Sequence, residues 1–340
     1  MYKVIVDAMG GDHAPEAPVL GALKALEEDP QLQVILTGQQ EVIEGILQGK
    51  NFDRERLEIR HAAEIIENEE HSPAEAIRDK KDSSMAVAMR MLKNKEADGM
   101  VSAGNTGALL AGATLIVGRI RGILRPALSV ALPAGDVPTL LLDVGANMDA
   151  KTSYLVQFAR MSSIYMRKQY GLEKPRVGLL NVGTEPGKGN AQTKEAFEAL
   201  SADPEICFSG NVEAREALSG RVDILVTDGF AGNVLLKTIE GTASYIVDLL
   251  KTEIYGSLRG KLGGLLLKPG MKKLKGKLEP SAVGGTPLLG IDGAVIKAHG
   301  NSRAAAFANA IGQCRAFVAS GINEEIAAQI RRNEDGGSEK

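Results

Sequence analysis

Short runs of apolar residues alternate along the chain with longer stretches in which apolar side chains recur every three or four positions. The short runs predict buried β-strands, and the longer stretches predict helices that pack on them. Strands are predicted at residues 2–7, 33–37, 57–61, 97–101, 127–132, 139–143, 177–180, 206–209, 222–227 and 294–298. Helices are predicted at about residues 15–28, 41–48, 82–94, 108–117, 152–170, 191–200, 212–218 and 303–319, with another opened by Ser72 and Pro73 and a long one from about Val234.

This alternation indicates an α/β protein in which a mostly parallel sheet is flanked by helices, as in Rossmann-like folds. No linker or low-complexity block interrupts it, so we expect one catalytic domain at residues 1–333. A protruding helical tip is expected as an insertion at about residues 251–280. Residues 334–340 are expected to form a disordered tail.

Four predicted strands lead into polar loops that are rich in glycine. These loops are SAGNTG from Ser102, DVGAN from Asp143, NVGTE from Asn181 and TDGFAGN from Thr227. In open α/β sheets such loops lie at the carboxyl ends of the strands, where ligands bind. We therefore expect the four loops to meet at one edge of the sheet and to form a ligand site there.

The loop NVGTEPGKGN, from Asn181 to Asn190, carries a single lysine, Lys188, among three glycines and just before a predicted helix. Glycines allow backbone N–H groups to approach a ligand closely, and a helix N-terminus adds positive partial charge. Lys188 adds a full charge. The loop therefore fits a phosphate or a developing oxyanion, although an ordinary strand-to-helix turn with a solvated lysine would have the same pattern.

Composition excludes several classes of protein. The formal net charge of −3 gives no signal for a nucleic-acid partner. The two cysteines, Cys207 and Cys314, are too few for a disulfide framework and are expected to be core thiols, which fits a cytoplasmic protein. The start of the chain lacks a signal-peptide pattern, and no apolar run is long enough to span a membrane.

The sequence contains no metal-binding HExxH or CxxC pattern, no GxSxG elbow, no Walker A motif and no GxGxxG in its first turn. We therefore expect no metal and no cofactor. An amide-rich crevice without a protein nucleophile suits direct transfer between two bound substrates. If one of them is phosphate, the protein has to position it and stabilise an oxyanion, for which Asn105, Lys188 and Asn233 are candidate donors.

Seven motifs, in this order, resemble the bacterial phosphate acyltransferase family called PlsX. They are DAMGGD, SAGNTGA, DVGAN, KGN, TDGFAGNV, GGTPLLGIDG and AHGNS, and they extend from Asp7 to about Ala319. The loop before KGN is less acidic here than in many related chains. The resemblance implies a homodimer with a fold similar to phosphotransacetylases and isocitrate-dehydrogenase-like enzymes.

The same resemblance implies a reaction: a long-chain acyl group passes from acyl carrier protein to inorganic phosphate. The acyl-phosphate product then serves phospholipid (phosphatidic acid) synthesis through a membrane glycerol-3-phosphate acyltransferase. Lys188 and Asn233 are predicted to be catalytic, although Asn233 also fits a cap of the long helix. The residues predicted to bind substrate or phosphate are Gly10, Gly11, Asp12, Ser102, Asn105, Thr106, Asn147, Asn181, Gly183, Thr184, Asn190, Asp228, Gly232, His299 and Asn301.

Leucines spaced every four residues and flanked by lysines mark the segment from about residue 251 to 277. This pattern predicts peripheral contact with an anionic membrane surface or with the acidic carrier protein. The contact residues are predicted to be Ile254, Leu258, Leu262, Leu266, Lys268, Lys272 and Lys273. A helix packed in the core or in a dimer interface would show the same spacing.

Three other functions remain open from the residues. One is a phosphotransacetylase-type enzyme that uses acyl-CoA. Another is a metal- and NAD-dependent oxidation of a hydroxy acid, with Asp143, Asp149 and Asp228 as the acidic candidates. The third is a non-catalytic phosphate-binding scaffold at the membrane.

Overall fold

The computed structural model describes residues 1–255, 263, 267, 270 and 284–337, and it describes the side chains of all of these except residues 255 and 333–337. The strands are β1 (Tyr2–Asp7), β2 (Leu32–Gly38), β3 (Leu57–His61), β4 (Gly99–Ser102), β5 (Ala127–Leu132), β6 (Thr139–Leu142), β7 (Arg176–Asn181), β8 (Cys207–Glu213), β9 (Ile224–Val226), β10 (Thr286–Leu289) and β11 (Ala294–Lys297). The helices are α1 (Glu16–Glu28), α2 (Gln40–Leu47), α3 (Pro73–Asp79), α4 (Ser84–Lys93), α5 (Thr106–Gly112), α6 (Thr152–Tyr170), α7 (Ala191–Ala202), α8 (Gly229–Tyr255), α9 (Ala304–Ala319) and α10 (Ile322–Gly337).

The strands form one sheet in the order β3-β2-β1-β4-β11-β10-β5-β6-β9-β7-β8. The strands from β3 to β11 are parallel to one another, and so are those from β6 to β8. Between these groups, β10 pairs antiparallel with β11 and β5, and β5 pairs antiparallel with β6. Three successive reversals leave the two parallel groups pointing in opposite directions. The mostly parallel sheet is confirmed, but the glycine-rich loops do not share one carboxyl edge as expected.

Helices cover both faces of this sheet, and the burial of alternate residues shows it. Val4 and Val6 of β1 belong to one apolar cluster, whereas Ile5 belongs to a second cluster on the other face. Because both faces of the sheet are covered, residues on both sides of a strand are apolar, and the strands appear in the sequence as continuous apolar runs. Within the described residues, no helix is both long enough and apolar enough to cross a membrane.

The structure corrects several predicted elements. The predicted helix at residues 212–218 is wrong, because the edge strand β8 continues to Glu213 and only a short 3₁₀ turn follows. Two elements were missed: β10, which has only four residues and contains Pro287, and α10. α8 begins at Gly229, earlier than predicted. The sequence pattern does not predict this first turn, because it contains Gly229 and Gly232 and glycine disfavours helix.

The division into one domain, a tip and a tail remains a prediction. α10 ends at Gly337, within the stretch that was expected to be a tail. Most of the expected tip lies outside the described residues.

A close crossing of α1 and α9 generates a stability prediction. A Cβ atom at Gly21 of α1 would lie 2.8 Å from the carbonyl oxygen of Ala304 and would also press on Phe307. We expect Gly21→Ala to lower the free energy of unfolding by about 1–3 kcal/mol, because a packed core resists added volume. The measurement is the midpoint of urea-induced unfolding.

Gly45→Ala in α2 is the matched control. A Cβ atom at residue 45 meets nothing within 4 Å. Alanine favours helix more than glycine does, so this change should stabilise the protein by about 0.5–1 kcal/mol. An unchanged or raised midpoint for Gly21→Ala would contradict the close crossing.

Candidate active site

A cleft of about 430 Å³ lies against the central strands β5 and β10, where the direction of the sheet reverses. One wall is apolar and includes Leu110, Leu128, Val130, Val144 and Leu236. The polar residues around it are Thr106, Asn233, Lys237, Glu240, Thr286, Lys297 and His299. A concave site with an apolar wall and a few convergent polar groups is the usual form of a ligand pocket.

Both parallel groups contribute to this cleft. The loops after β4 and β11 bring Thr106 and His299, whereas the loop after β6 and the first turns of α8 bring Gly145 and Asn233. Three of the four predicted glycine-rich loops therefore meet here. They meet at the face of the antiparallel strands rather than along one carboxyl edge.

The start of α8 decides the role of two predicted residues. The Oδ1 atom of Asp228 accepts a hydrogen bond of 2.7 Å from the backbone N–H of Ala231, so Asp228 caps the helix. Asn233 lies one turn further on and is half-buried. The hypothesis that Asn233 caps α8 is therefore wrong. Its side-chain amide makes no hydrogen bond to any described residue and borders the cleft.

A buried carboxylate, Asp143, holds the loop after β6. It accepts hydrogen bonds from the backbone N–H groups of Leu128, Ala146 and Asn147, and a fourth from the Asn147 amide at 2.9 Å. Burial raises the pKa of Asp143, and these donors oppose the rise. Asn147 also donates to a backbone carbonyl, so its side chain braces the loop. Gly232 lets α8 pack directly on the carbonyl of Asp143.

A second buried carboxylate, Asp7, lies beside Ser102 and Lys297 at the ends of three neighbouring strands. Ser102 pairs in register with Lys297, and the residues just before Asp7 and Ser102 pair with each other. The hydroxyl groups of Ser102 and Ser84 each donate to Asp7 at 2.6 Å. Burial raises the pKa of Asp7, against the effect of these hydroxyls. Ser102 is fully buried and does not border the cleft.

Lys297 does border the cleft, and the sequence analysis missed it. Its Nζ atom donates to the carbonyl oxygens of Ala298 at 2.8 Å and Ala103 at 3.0 Å. Burial lowers the pKa of Lys297 to about 8, while Asp7 and Asp12 act in the opposite direction. The available signal was a lone lysine at the end of an apolar strand, just before the AHGNS motif.

The loop after β1 supports the cleft from behind. The backbone N–H of Asp12 donates to the carbonyl of Gly300 at 2.8 Å, and Asn301 is hydrogen-bonded to His13 at 2.7 Å. Gly10 and Gly11 allow this loop to lie against the loop after β4, where a Cβ atom would meet Gly104 or Ala103. None of the predicted residues Gly10, Gly11, Asp12 and Asn301 borders the described cleft.

Asn105 occupies the cap of α5. Its Oδ1 atom accepts a hydrogen bond from the N–H of Ala108, and its amide donates to the carbonyl of Asn68 at 2.8 Å. Both polar ends of the Asn105 side chain therefore have hydrogen-bond partners within the protein. Thr106, the first residue of α5, is exposed to the cleft instead.

The Asn181 loop lies apart from this cleft, at a second pocket of about 590 Å³. The amide of Asn181 donates to the carbonyl of Lys188 at 3.1 Å, and Asn190 caps α7. Lys188 and Thr184 are exposed, whereas Gly183 is buried. The two residues predicted to be catalytic, Lys188 and Asn233, thus do not border the same pocket within one chain.

The second pocket is largely apolar. Leu155, Leu179, Leu180, Phe230, Val234 and Leu235 border it. Two of the residues that border it are strongly exposed: Phe230 is 64% exposed and Val182 is 79% exposed. The first two turns of α8 separate the pockets, with Asn233 facing the cleft and Val234 facing the apolar pocket.

The remaining predicted residues have mixed outcomes. Cys314 is buried as expected, but Cys207 is exposed because it begins the edge strand β8. Ile254 is half-buried in the last turn of α8. Leu258, Leu262, Leu266, Lys268, Lys272 and Lys273 lie outside the described residues. Among the described residues, no three or more histidine, cysteine or acidic side chains form a group that could hold a metal ion.

Comparison with known proteins gives a full-length match. The family model described as fatty acid synthesis protein matches residues 2–325. The chain is 49% identical over 339 residues to a phosphate acyltransferase from Brevibacillus brevis, covering 99% of this chain and 100% of that one. It is 46% identical over 336 residues to a phosphate acyltransferase from Dictyoglomus turgidum, covering 98% and 99%.

A solved structure supports the fold alone. A phosphotransacetylase from Streptococcus pyogenes superposes with a TM-score of 0.59 at 18% identity, covering 93% of this chain and 94% of that one. The likeness confirms the predicted α/β architecture.

The cap of α8 is tested by stability. We expect Asp228→Ala to lower the free energy of unfolding by about 1 kcal/mol, because the N–H of Ala231 loses its acceptor. Asn233→Ala, five residues away on the same helix, should leave the melting temperature unchanged. Early melting of Asn233→Ala, with no change for Asp228→Ala, would reverse this assignment.

Proposed function

Because this chain belongs to the fatty acid synthesis protein family, which includes the bacterial phosphate acyltransferases, we propose that it transfers a long-chain acyl group from acyl carrier protein to inorganic phosphate. It is a phosphate acyltransferase, and phosphate is the acceptor. One observation carries this conclusion: the identity to proteins of that name extends over nearly the whole of both chains. The choice of acyl carrier protein as donor is our inference from the shared motifs.

The chemistry needs no nucleophile from the protein. A phosphate oxygen attacks the thioester carbonyl carbon, so a carbon–oxygen bond forms while the carbon–sulfur bond breaks. The sulfur leaves as a thiolate and takes up a proton from water. Phosphate is already anionic at neutral pH, so the protein has to hold both substrates in line and stabilise the tetrahedral oxyanion.

We assign the reacting groups to the cleft that Asn233 borders at the start of α8. Asn233 carries an amide without a partner among the described residues and faces the cleft, so it suits an oxyanion donor. The acyl chain can lie along the apolar wall of the same cleft, which Leu128, Val130 and Leu236 border. Lys188 is exposed directly before Gly189, which borders the apolar pocket on the other side of α8, and can meet the acidic carrier protein there.

The proposal extends to assembly and location. The outer half of α8 exposes Tyr245, Ile246 and Leu249, an apolar surface that suits a second copy of the chain. The basic, leucine-rich segment that follows α8 in the sequence suits an anionic membrane surface. A long-chain acyl-phosphate is poorly soluble in water. Release at a membrane would therefore allow direct transfer to a glycerol-3-phosphate acyltransferase.

The donor and the acceptor are tested together by thioester loss. We expect the protein to consume long-chain acyl-carrier-protein thioester only when inorganic phosphate is present, with acyl-phosphate as product. Acyl-CoA of the same chain length should react more slowly, because it lacks the acidic carrier surface. The measurement is thioester remaining against time, with each donor and with phosphate present or absent.

Two other results of this assay would favour the alternative functions. Faster consumption of acyl-CoA would favour a phosphotransacetylase-type enzyme. No consumption of either donor, with phosphate still bound, would favour the non-catalytic scaffold.

Lys188 and Asn233 are tested by substitution. Removing one oxyanion donor typically lowers turnover by about 10²–10³-fold, and we expect a loss of this order for Asn233→Ala. We expect Lys188→Ala to lower turnover as well, because the acyl donor loses a cationic contact. Lys194→Ala, an exposed lysine on the helix after the Lys188 loop, is the control and should keep wild-type turnover. Near-normal turnover of a folded Lys188→Ala protein would remove Lys188 from the mechanism.

A further inference from the structure

Lys297 is a partly buried cation that borders the cleft, and we propose that it binds inorganic phosphate there. This inference rests on the proposed function and goes beyond it by locating the acceptor. Phosphate would occupy the polar end of the cleft, beside Lys297 and Thr106. Lys188, on its separate loop, would then act on the acyl donor.

The hydrogen bonds of Lys297 leave it ready for an anion. An ammonium group has three N–H donors, and the carbonyls of Ala103 and Ala298 accept from it. At least one donor remains for a ligand in the cleft that Lys297 borders. No ion pair joins Lys297 to a carboxylate among the described residues. A half-buried cation without a contacting carboxylate favours an anionic ligand.

The row of side chains behind Lys297 supports its charge. Asp7 lies two strands away in the same row, with Ser102 between them, and its carboxylate is held by two hydroxyl groups. The negative charges of Asp7 and Asp12 favour the protonated lysine. With a pKa of about 8, Lys297 is largely protonated at neutral pH. Asp7 itself lies behind the strand ends and does not border the cleft.

The other cations near the cleft are engaged elsewhere. Lys237 also borders the cleft, but its Nζ atom forms an ion pair of 2.7 Å with Glu240, which borders the cleft as well. The Nδ1 atom of His299 accepts from the backbone N–H of Asn301. Lys188 does not border this cleft. Lys297 is therefore the best-placed charge for phosphate among the described residues.

Neutral donors complete the environment. Thr106 presents a hydroxyl group at the start of α5, and Asn233 presents its amide from α8. Phosphate accepts several hydrogen bonds at once, and bonds from a charged donor are the strongest of them. A phosphate held between these groups would lie next to Asn233, which faces the developing oxyanion in the proposed reaction.

The test is calorimetric titration with inorganic phosphate, without any acyl donor. We expect Lys297→Gln to bind phosphate roughly 10- to 100-fold more weakly than wild type, since one charge-assisted hydrogen bond is lost. The glutamine amide has two N–H groups that can donate to the carbonyls of Ala103 and Ala298. Lys297→Arg should recover part of the affinity. In steady-state assays Lys297→Gln should raise the KM for phosphate and leave the KM for the acyl donor unchanged.

Lys93→Gln is the matched control. Its Nζ atom also donates to a backbone carbonyl, that of Val117 at 2.8 Å, but it lies outside the cleft. Phosphate affinity should equal that of wild type. Wild-type phosphate affinity in folded Lys297→Gln would overturn the inference while leaving the proposed function intact. A wild-type protein that never consumes acyl donor with phosphate would instead refute the proposed function.

A second measurement needs no variant. Acetylation of lysine amines in the unmodified protein, followed by mass spectrometry, reports the accessibility of each one. Phosphate should slow acetylation of Lys297 and leave Lys93 unaffected. Equal rates at Lys297 with and without saturating phosphate would overturn the inference even if Lys297→Gln fails to fold.

Discussion

The reversal of strand direction at β10 and β5 is the constraint on which the rest of the structure depends. A fully parallel sheet would carry all its functional loops along one edge, over the carboxyl ends of the strands. Here the two parallel groups point in opposite directions, so their loops can meet only across the face of the antiparallel strands. The cleft lies at that face, and its residues come from both groups.

Two buried carboxylates stabilise the loops that converge there. Asp7 ties the end of β1 to Ser84 and Ser102, and Asp143 holds the loop after β6 through backbone N–H groups. Each carboxylate is removed from water, which raises its pKa and is unfavourable unless hydrogen bonds compensate. These bonds keep the cleft loops in one arrangement. The absence of a side chain at Gly232 then allows α8 to pack directly on the carbonyl of Asp143.

The sequence predicts the parts of this fold that depend on local pattern. The pattern predicts β1 because Val4, Ile5 and Val6 are consecutive apolar residues, and it predicts the start of α3 because Ser72 and Pro73 are a strong helix signal. The direction of β10 depends on pairing with distant strands, so no local pattern reveals it. Polar loop residues raise a different problem, because an asparagine that caps a helix and one that binds a ligand look alike. Asn105 caps α5 and Asn233 faces the cleft, although both follow glycine-rich strand ends.

Lys297 is a site candidate that the local sequence pattern does not reveal. In the sequence it is a polar residue at the end of a strand, a place where solvated lysines are common. Only the pairing of β11 with β4 brings it beside Ser102 and into the cleft.

In the proposed reaction the acyl group passes directly between two substrates bound together, without an acylated protein. The most direct test is the pattern of initial rates when acyl-carrier-protein thioester and phosphate are varied against each other. Direct transfer requires both substrates in one complex, so double-reciprocal lines should intersect. Parallel lines, the mark of a ping-pong mechanism with a covalent acyl-protein intermediate, would contradict it.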